Sequence, residues 1–146
     1  MYSSSISYGG AGNDTIIVFA GEGYGEDGYD ILTSYSNGAK LYGGAGTNIL
    51  KVNFNGYMYG GEGGDEYHLD EMSTSIAYVK DDGLTGNDTI FTTWSSSTTI
   101  TRTIDGNDLR LSAEGETIVL IDWYNGYNTI ENFVNASHDQ FILTDL

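Results

Sequence analysis

Residues 9–17 read Gly9-Gly10-Ala11-Gly12-Asn13-Asp14-Thr15-Ile16-Ile17, and residues 43–51 read Gly43-Gly44-Ala45-Gly46-Thr47-Asn48-Ile49-Leu50-Lys51. The same frame returns at Gly25-Glu26-Asp27-Gly28-Tyr29-Asp30-Ile31-Leu32-Thr33 and at Gly60-Gly61-Glu62-Gly63-Gly64-Asp65-Glu66-Tyr67-His68. A looser copy is Gly83-Leu84-Thr85-Gly86-Asn87-Asp88-Thr89-Ile90-Phe91. The shared pattern is Gly-Gly-x-Gly-x-Asp-x-U-x, with U a large apolar residue. A pattern repeated in phase over half a chain marks a solenoid, in which each unit buries its apolar face only against its neighbours.

The spacing sets the coil. The sixth-position residues Asp14, Asp30, Asn48, Asp65 and Asp88 are separated by 16, 18, 17 and 23 residues. The intervening stretches, Ser34 to Tyr42 and Val52 to Tyr59, keep an apolar residue in phase (Leu41, Met58) and lose the aspartate. The spacing therefore predicts a coil of about 18 residues with two short strands and two turns, only one edge carrying the carboxylates. Glycine at three of four positions lets the backbone turn tightly and adopt φ > 0, and the apolar or β-branched residues that follow favour a strand. Turn carbonyls plus a carboxylate form the hard-oxygen ligand set that Ca²⁺ takes, and stacked aspartates without a cation would repel one another. A Gly-rich linker or an ion-free solenoid is the alternative. A linker, however, does not repeat aspartate and a large apolar residue in phase.

This pattern, over residues 9 to 91, resembles the calcium-binding nonapeptide of the RTX (haemolysin-type) family. The resemblance implies an all-β fold, a parallel β-roll of about 18 residues per coil over residues 1–91, followed by a small C-terminal β cap and secretion region over residues 92–146. It also implies Ca²⁺ ions between successive turns. One turn gives its second and fourth carbonyls and its Asp, and the next gives its first and third carbonyls and its Asp. On that scheme the first site draws on Gly10, Gly12 and Asp14 with Gly25, Asp27 and Asp30. The second draws on Glu26, Gly28 and Asp30 with Gly43, Ala45 and Asn48, and the third on Gly44, Gly46 and Asn48 with Gly60, Glu62 and Asp65. A fourth joins Gly61, Gly63 and Asp65 to Gly83, Thr85 and Asp88, across an insertion that puts its geometry in question. Asn48 is neutral, so the two sites it shares are expected to be weaker.

The expected inward residues are Ile16, Leu32, Leu41, Leu50, Met58, Tyr67, Leu69 and Ile90, a thin core that leaves much of the folding free energy to ion binding. Tyr8, Tyr24, Tyr42 and Tyr59 each precede the first glycine of a repeat and are expected to stack in one column, either stiffening the roll or forming an adhesive stripe.

Composition agrees. The 146 residues hold 21 acidic and 5 basic side chains, a net charge of −16. That excludes the basic footprint a nucleic-acid binder needs and disfavours anionic membranes. The absence of cysteine excludes disulfides and thiolate chemistry. Apolar runs such as Ile118 to Ile121 are far too short to span a membrane. Five Phe, two Trp and twelve Tyr argue against disorder. Catalytic signatures are missing: the histidines are His68 and His138, and neither G-x-S-x-G nor H-E-x-x-H occurs. Asp81 and Asp82 read as solvated turn carboxylates. The chain is therefore expected to bind rather than catalyse.

Beyond Phe91, Asp105-Gly106-Asn107-Asp108-Leu109-Arg110-Leu111 and the strand that ends Ile121-Asp122-Trp123-Tyr124 resemble the module that follows RTX repeats, which caps the roll and nucleates its folding. Trp123 and Phe133 are expected in the core of the cap. Met1 to Gly10 lack a basic and then apolar leader. The apolar and acidic end Asp139 to Leu146 is compatible with the uncleaved type I secretion signal that the resemblance implies. Two functions follow as expectations. One is a secreted calcium-binding protein that self-associates, head to tail or laterally, as a matrix or fibre component. The other is the folding and secretion module of a larger exoenzyme or toxin.

Overall fold

The computed structural model describes residues 5–69, 75–126 and 129–142. The terminal residues 143–146 of the expected secretion signal lie outside it. The repeat region builds β1 (Ser5–Ala11), β2 (Thr15–Val18), β3 (Gly21–Asp27), β4 (Ile31–Ser34), β5 (Ala39–Ala45), β6 (Ile49–Val52), β7 (Gly56–Glu62), β8 (Glu66–His68), β9 (Ile76–Lys80) and β10 (Thr89–Phe91). Odd-numbered strands pair in parallel in one sheet and even-numbered strands in the other, so each coil gives one strand to each. This is the parallel β-roll that the spacing predicts. The turn glycines extend β1, β3, β5 and β7 to seven residues, while β9 holds five and the even strands three or four.

The C-terminal segment adds β11 (Thr101–Asp105), β12 (Asp108–Ala113), β13 (Glu116–Leu120), a 3-10 turn (Trp123–Asn125), β14 (Asn132–Val134) and β15 (Gln140–Ile142). It is continuous with the roll, because β13 pairs in parallel with β9 and β14 in parallel with β10. Only then does the direction reverse: β12 and β11 close one sheet, and β15 the other, as antiparallel strands. The Asp105–Asp108 segment is a tight hairpin turn with Gly106 at φ +65.

All eight expected core residues are buried. Ile16, Leu32, Leu50, Tyr67, Ile90 and Phe133 lie in one unbroken column of register partners, five of the six fully buried. Phe133 and the fully buried Trp94 plug the far end, their rings 5.5 Å apart, while Trp123, expected in the core, is only partly buried against the core cluster. The Trp94 indole N–H donates to the buried Glu116 carboxylate at 2.8 Å.

Tyr8, Tyr24, Tyr42 and Tyr59 stack on the outer face of the odd sheet, with centroids 5.2, 4.5 and 4.7 Å apart. Tyr57 and Tyr78 start a second column at 4.5 Å. The ring faces are spent on one another, so the ladder stiffens the sheet and shows solvent mainly its ring edges.

The second and fourth repeat positions are glycine for two reasons. Gly44, Gly46, Gly61 and Gly63 have φ of 104, 114, 104 and 124°. A Cβ there would also collide with the carbonyl oxygen of the equivalent residue one coil earlier. Gly38, on the other edge, has φ +77 with nothing within 4 Å. Gly38→Ala should therefore cost only the αL penalty, about 1 kcal/mol, while Gly46→Ala adds a backbone clash and should cost clearly more. Urea midpoints of the two variants, measured in one buffer, check the order.

Candidate metal centre

The sixth-position side chains turn inward, where each reaches back along the stack. The Asp14 N–H donates to Asp30 Oδ1 at 2.8 Å, the Asp30 N–H to Asn48 Oδ1 at 3.0 Å, the Asn48 N–H to Asp65 Oδ1 at 2.7 Å, and the Asp65 N–H to Asp88 Oδ1 at 2.7 Å. The ladder continues into the cap, where the Asp88 N–H donates to Glu131 Oε2 at 2.7 Å. Asp30, Asn48, Asp65 and Asp88 are buried.

One carboxylate oxygen per coil is thus used, and the other is left over. Asp14 Oδ2, Asp30 Oδ2 and Asp65 Oδ2 are buried without a hydrogen-bond partner. They converge on first-position glycines of the same coils. The point where a Gly9 Cβ would stand is 2.9 Å from Asp14 Oδ2 and 2.8 Å from the Gly25 carbonyl oxygen. Gly25 makes the same cradle with Asp30 Oδ2 and the Gly43 carbonyl. At Gly43 the atoms are the Gly60 carbonyl oxygen, 2.6 Å away, and Asn48 Nδ2, 2.8 Å away. Asn48 therefore presents a donor where its neighbours present an acceptor, and splits the row in two.

The richest segment lies beyond it. Ligand atoms of Asp65, Asp81 and Asp88 all lie within 4.8 Å of one another, and all three residues are buried. A Cβ on Gly60 would collide with Asp65 Oδ2, Asp81 Oδ2 and the Tyr67 hydroxyl. Tyr67 donates to Asp81 Oδ2 at 2.5 Å, and the Gly83 N–H donates to Asp81 Oδ1 at 3.0 Å. A recess of about 140 Å³ opens beside Asp88, lined also by Thr85, Thr129 and Glu131. Burial pushes the Asp65 and Asp88 carboxyls up to about 7, with neighbouring Asp81 adding to it. Burial also raises Asp81, against the Tyr67 hydrogen bond. Burial and Asp81 push the Tyr67 hydroxyl far above its ordinary range, so it stays a donor. Ion pairs among the described residues, such as Lys40–Glu22 and Lys80–Asp122, lie elsewhere.

A hard dication fits this arrangement. It offers oxygen donors only, excess negative charge, an orphaned buried oxygen and a cradle that a single methyl would fill.

The other expected ligands are placed as follows. Gly10, Gly12, Gly28, Gly44, Gly46, Gly61 and Gly63 occupy positive-φ turn positions. The Gly12, Gly28, Gly46 and Gly63 N–H groups donate to the carbonyls of Asp27, Ala45, Glu62 and Thr85 in the next coil. The side chains of Glu26, Asp27 and Glu62 are exposed, and Glu62 Oε2 accepts from the Leu84 N–H at 3.4 Å and the Thr85 hydroxyl at 3.2 Å in the next turn. Glu26 holds φ +79 where the pattern has glycine. Asp81, expected to be a solvated turn carboxylate, is instead fully buried, while Asp82 beside it is exposed. Strand register explains this: Tyr59 pairs with Lys80, so Asp81 follows in the place of Gly60. Glu131 was also missed, although the Thr89–Asn132 pairing sets it beside Asp88 at the sixth position of the next coil.

No family model and no curated protein matches this chain.

A carboxyl whose folded pKa lies above its ordinary 3.8 stabilises the fold while protonated and loses that contribution as pH rises to about 7. The metal-free chain should therefore lose stability steadily from about pH 4 to pH 7, and a divalent cation should stabilise it most above pH 7. Melting temperatures in EDTA and in Ca²⁺ across that range check both signs. Asp81→Asn should raise the metal-free melting temperature and weaken Ca²⁺ binding about tenfold or more, because ligand charge sets calcium affinity; calorimetric titration reads the second effect.

Proposed function

We propose that this chain is a secreted calcium-binding protein of the RTX type, a β-roll whose folding is coupled to Ca²⁺ and which self-associates outside the cell as a matrix or fibre component. The observation that carries this reading is the column of inward carboxylates, one oxygen spent on the preceding coil and the other left over beside a glycine carbonyl. A buried unpaired carboxylate costs several kcal/mol unless it is protonated or meets a cation. A Ca²⁺ ion in the Asp65–Asp81–Asp88 cluster would meet three carboxylates, and Asp14 and Asp30 would serve a second segment beyond Asn48. The ion supplies positive charge and flexible oxygen coordination. The chain supplies the oxygens, the glycine clearance that lets them converge, and the hydrogen bonds that orient them.

An extracellular location and a binding rather than catalytic role belong to the same proposal. His68 supports the latter: its ring stacks on Phe91 and pairs with Glu66 on the sheet surface, as a strand residue does.

A second reading, the folding and secretion module of a larger exoenzyme or toxin, draws on the continuity of both sheets into the antiparallel closing strands. Circular dichroism with light scattering, in EDTA and then in millimolar Ca²⁺ with Mg²⁺ as control, tests the proposal. Above pH 7 strand signal should increase on Ca²⁺ and not on Mg²⁺, with growth in mass. A chain fully folded in EDTA and unmoved by Ca²⁺ overturns calcium coupling. Calcium-dependent folding that stays monomeric favours the second reading.

A further inference from the structure

The two ends of the roll differ. At the C-terminal end the sheets finish in the antiparallel edge strands β11, which carries Arg102 and Asp105, and β15, whereas at the N-terminal end, among the described residues, β1 pairs with β3 alone and β2 with β4 alone, so both outer edges are open. Open edges in native proteins are ordinarily guarded by charge, proline or a bulge. Here they are not. Residues 5–20 carry one charged side chain, Asp14, and that one turns into the roll, in a chain of net charge −16. Four outward residues of this coil are large, apolar and exposed: Ile6 (55%), Tyr8 (64%), Ile17 (51%) and Phe19 (72%). Tyr8 ends the tyrosine stack with one ring face covered by Tyr24 and no ring on its other side among the described residues.

We propose that this coil is an interface for a second copy of the same chain, docked head to head about a two-fold axis. The inference rests on the self-association reading above and names its surface. Like meeting like suits an end with so little charge, since every other coil of the repeat region carries two or more charged side chains. The register is self-complementary as well. Ser7 pairs with Gly23, and a side chain at Gly23 would touch Val18 Cγ2 at 2.8 Å and Ile16 Cγ2 at 3.3 Å. Residues 7 and 17 therefore face each other across the roll, and one axis can pass through both. About that axis β1 meets its copy antiparallel with Ser7 opposite Ser7 and Ile6 opposite Tyr8, twice, on the outer face. β2 meets its copy with Ile17 opposite Ile17 and Ile16 opposite Val18 in the extended core. Aromatic–β-branched cross-strand pairs of this kind are favourable. Both sheets then run continuously through the dimer; an isologous contact closes on itself, so a fibre or matrix of these dimers needs a further contact elsewhere on the chain.

The full chain in millimolar Ca²⁺ provides the test, and its lack of cysteine makes a single thiol a clean probe. Light scattering should give twice the 15.8 kDa chain mass. Ser7→Cys should form an interchain disulfide under mild oxidation, while Ile104→Cys on the exposed outer strand of the cap should not. Ile17→Lys sets two ammonium groups against each other and should raise the dimer dissociation constant about tenfold or more. If that variant loses strand signal, Tyr8→Glu, on the solvent face, carries the same test. A chain that folds on Ca²⁺ and stays monomeric overturns both this inference and the self-association reading. A chain that associates without the Ser7→Cys crosslink, or through Ile104→Cys instead, overturns this inference alone.

Discussion

Everything in this structure depends on stacking carboxylates inside a protein. Parallel coils repeat at the strand spacing of about 4.8 Å, so a residue placed once per coil faces its own kind. Two carboxylates at about 5 Å repel by about 3 kcal/mol even at an effective dielectric near 20. Asp30, Asn48, Asp65 and Asp88 offset part of this by each spending one side-chain oxygen on a backbone N–H of the coil before. The other oxygen keeps its charge unmatched. Asn48 relieves the repulsion in the middle of the row at the cost of placing a donor there.

The apolar core cannot carry such a burden alone. It is two residues wide at most, with Leu32, Leu50, Tyr67 and Ile90 from one sheet against Leu41, Met58 and Val79 from the other. The cap adds to it: Trp94, Phe133, Leu109, Leu111 and Ile118 join the same buried core cluster. The acidic cluster sits at the junction of roll and cap, where Thr129 from the cap donates its hydroxyl to the Gly83 and Asp81 carbonyls. A cation held there would couple the last regular coil to the element that closes the solenoid.

Much of this was legible in the sequence because the repeat is short-range physics. Gly44, Gly46 and Asp65 announce their φ and their chemistry by type and phase, and alternation marked Leu32 through Ile90 as inward. What escaped depended on register across an insertion. Asp81 and Asp82 are adjacent acids, indistinguishable by type, and only the pairing of β7 with β9 sends one inward and the other to solvent. Glu131 belongs to the column although 43 residues separate it from Asp88, because a three-stranded excursion intervenes. Trp94 follows the last repeat in a Ser- and Thr-rich stretch without strand periodicity, so its full burial is a purely tertiary outcome.

The central claim is that the buried carboxylates are a cation site. Tyr67, whose hydroxyl touches Asp81, is a built-in optical donor for a lanthanide bound there. Tb³⁺ luminescence excited through tyrosine measures this directly. The account predicts saturable sensitised emission that Ca²⁺ displaces and that Asp65→Asn diminishes. Emission that neither saturates nor yields to Ca²⁺, or that is indifferent to Asp65→Asn, would contradict it.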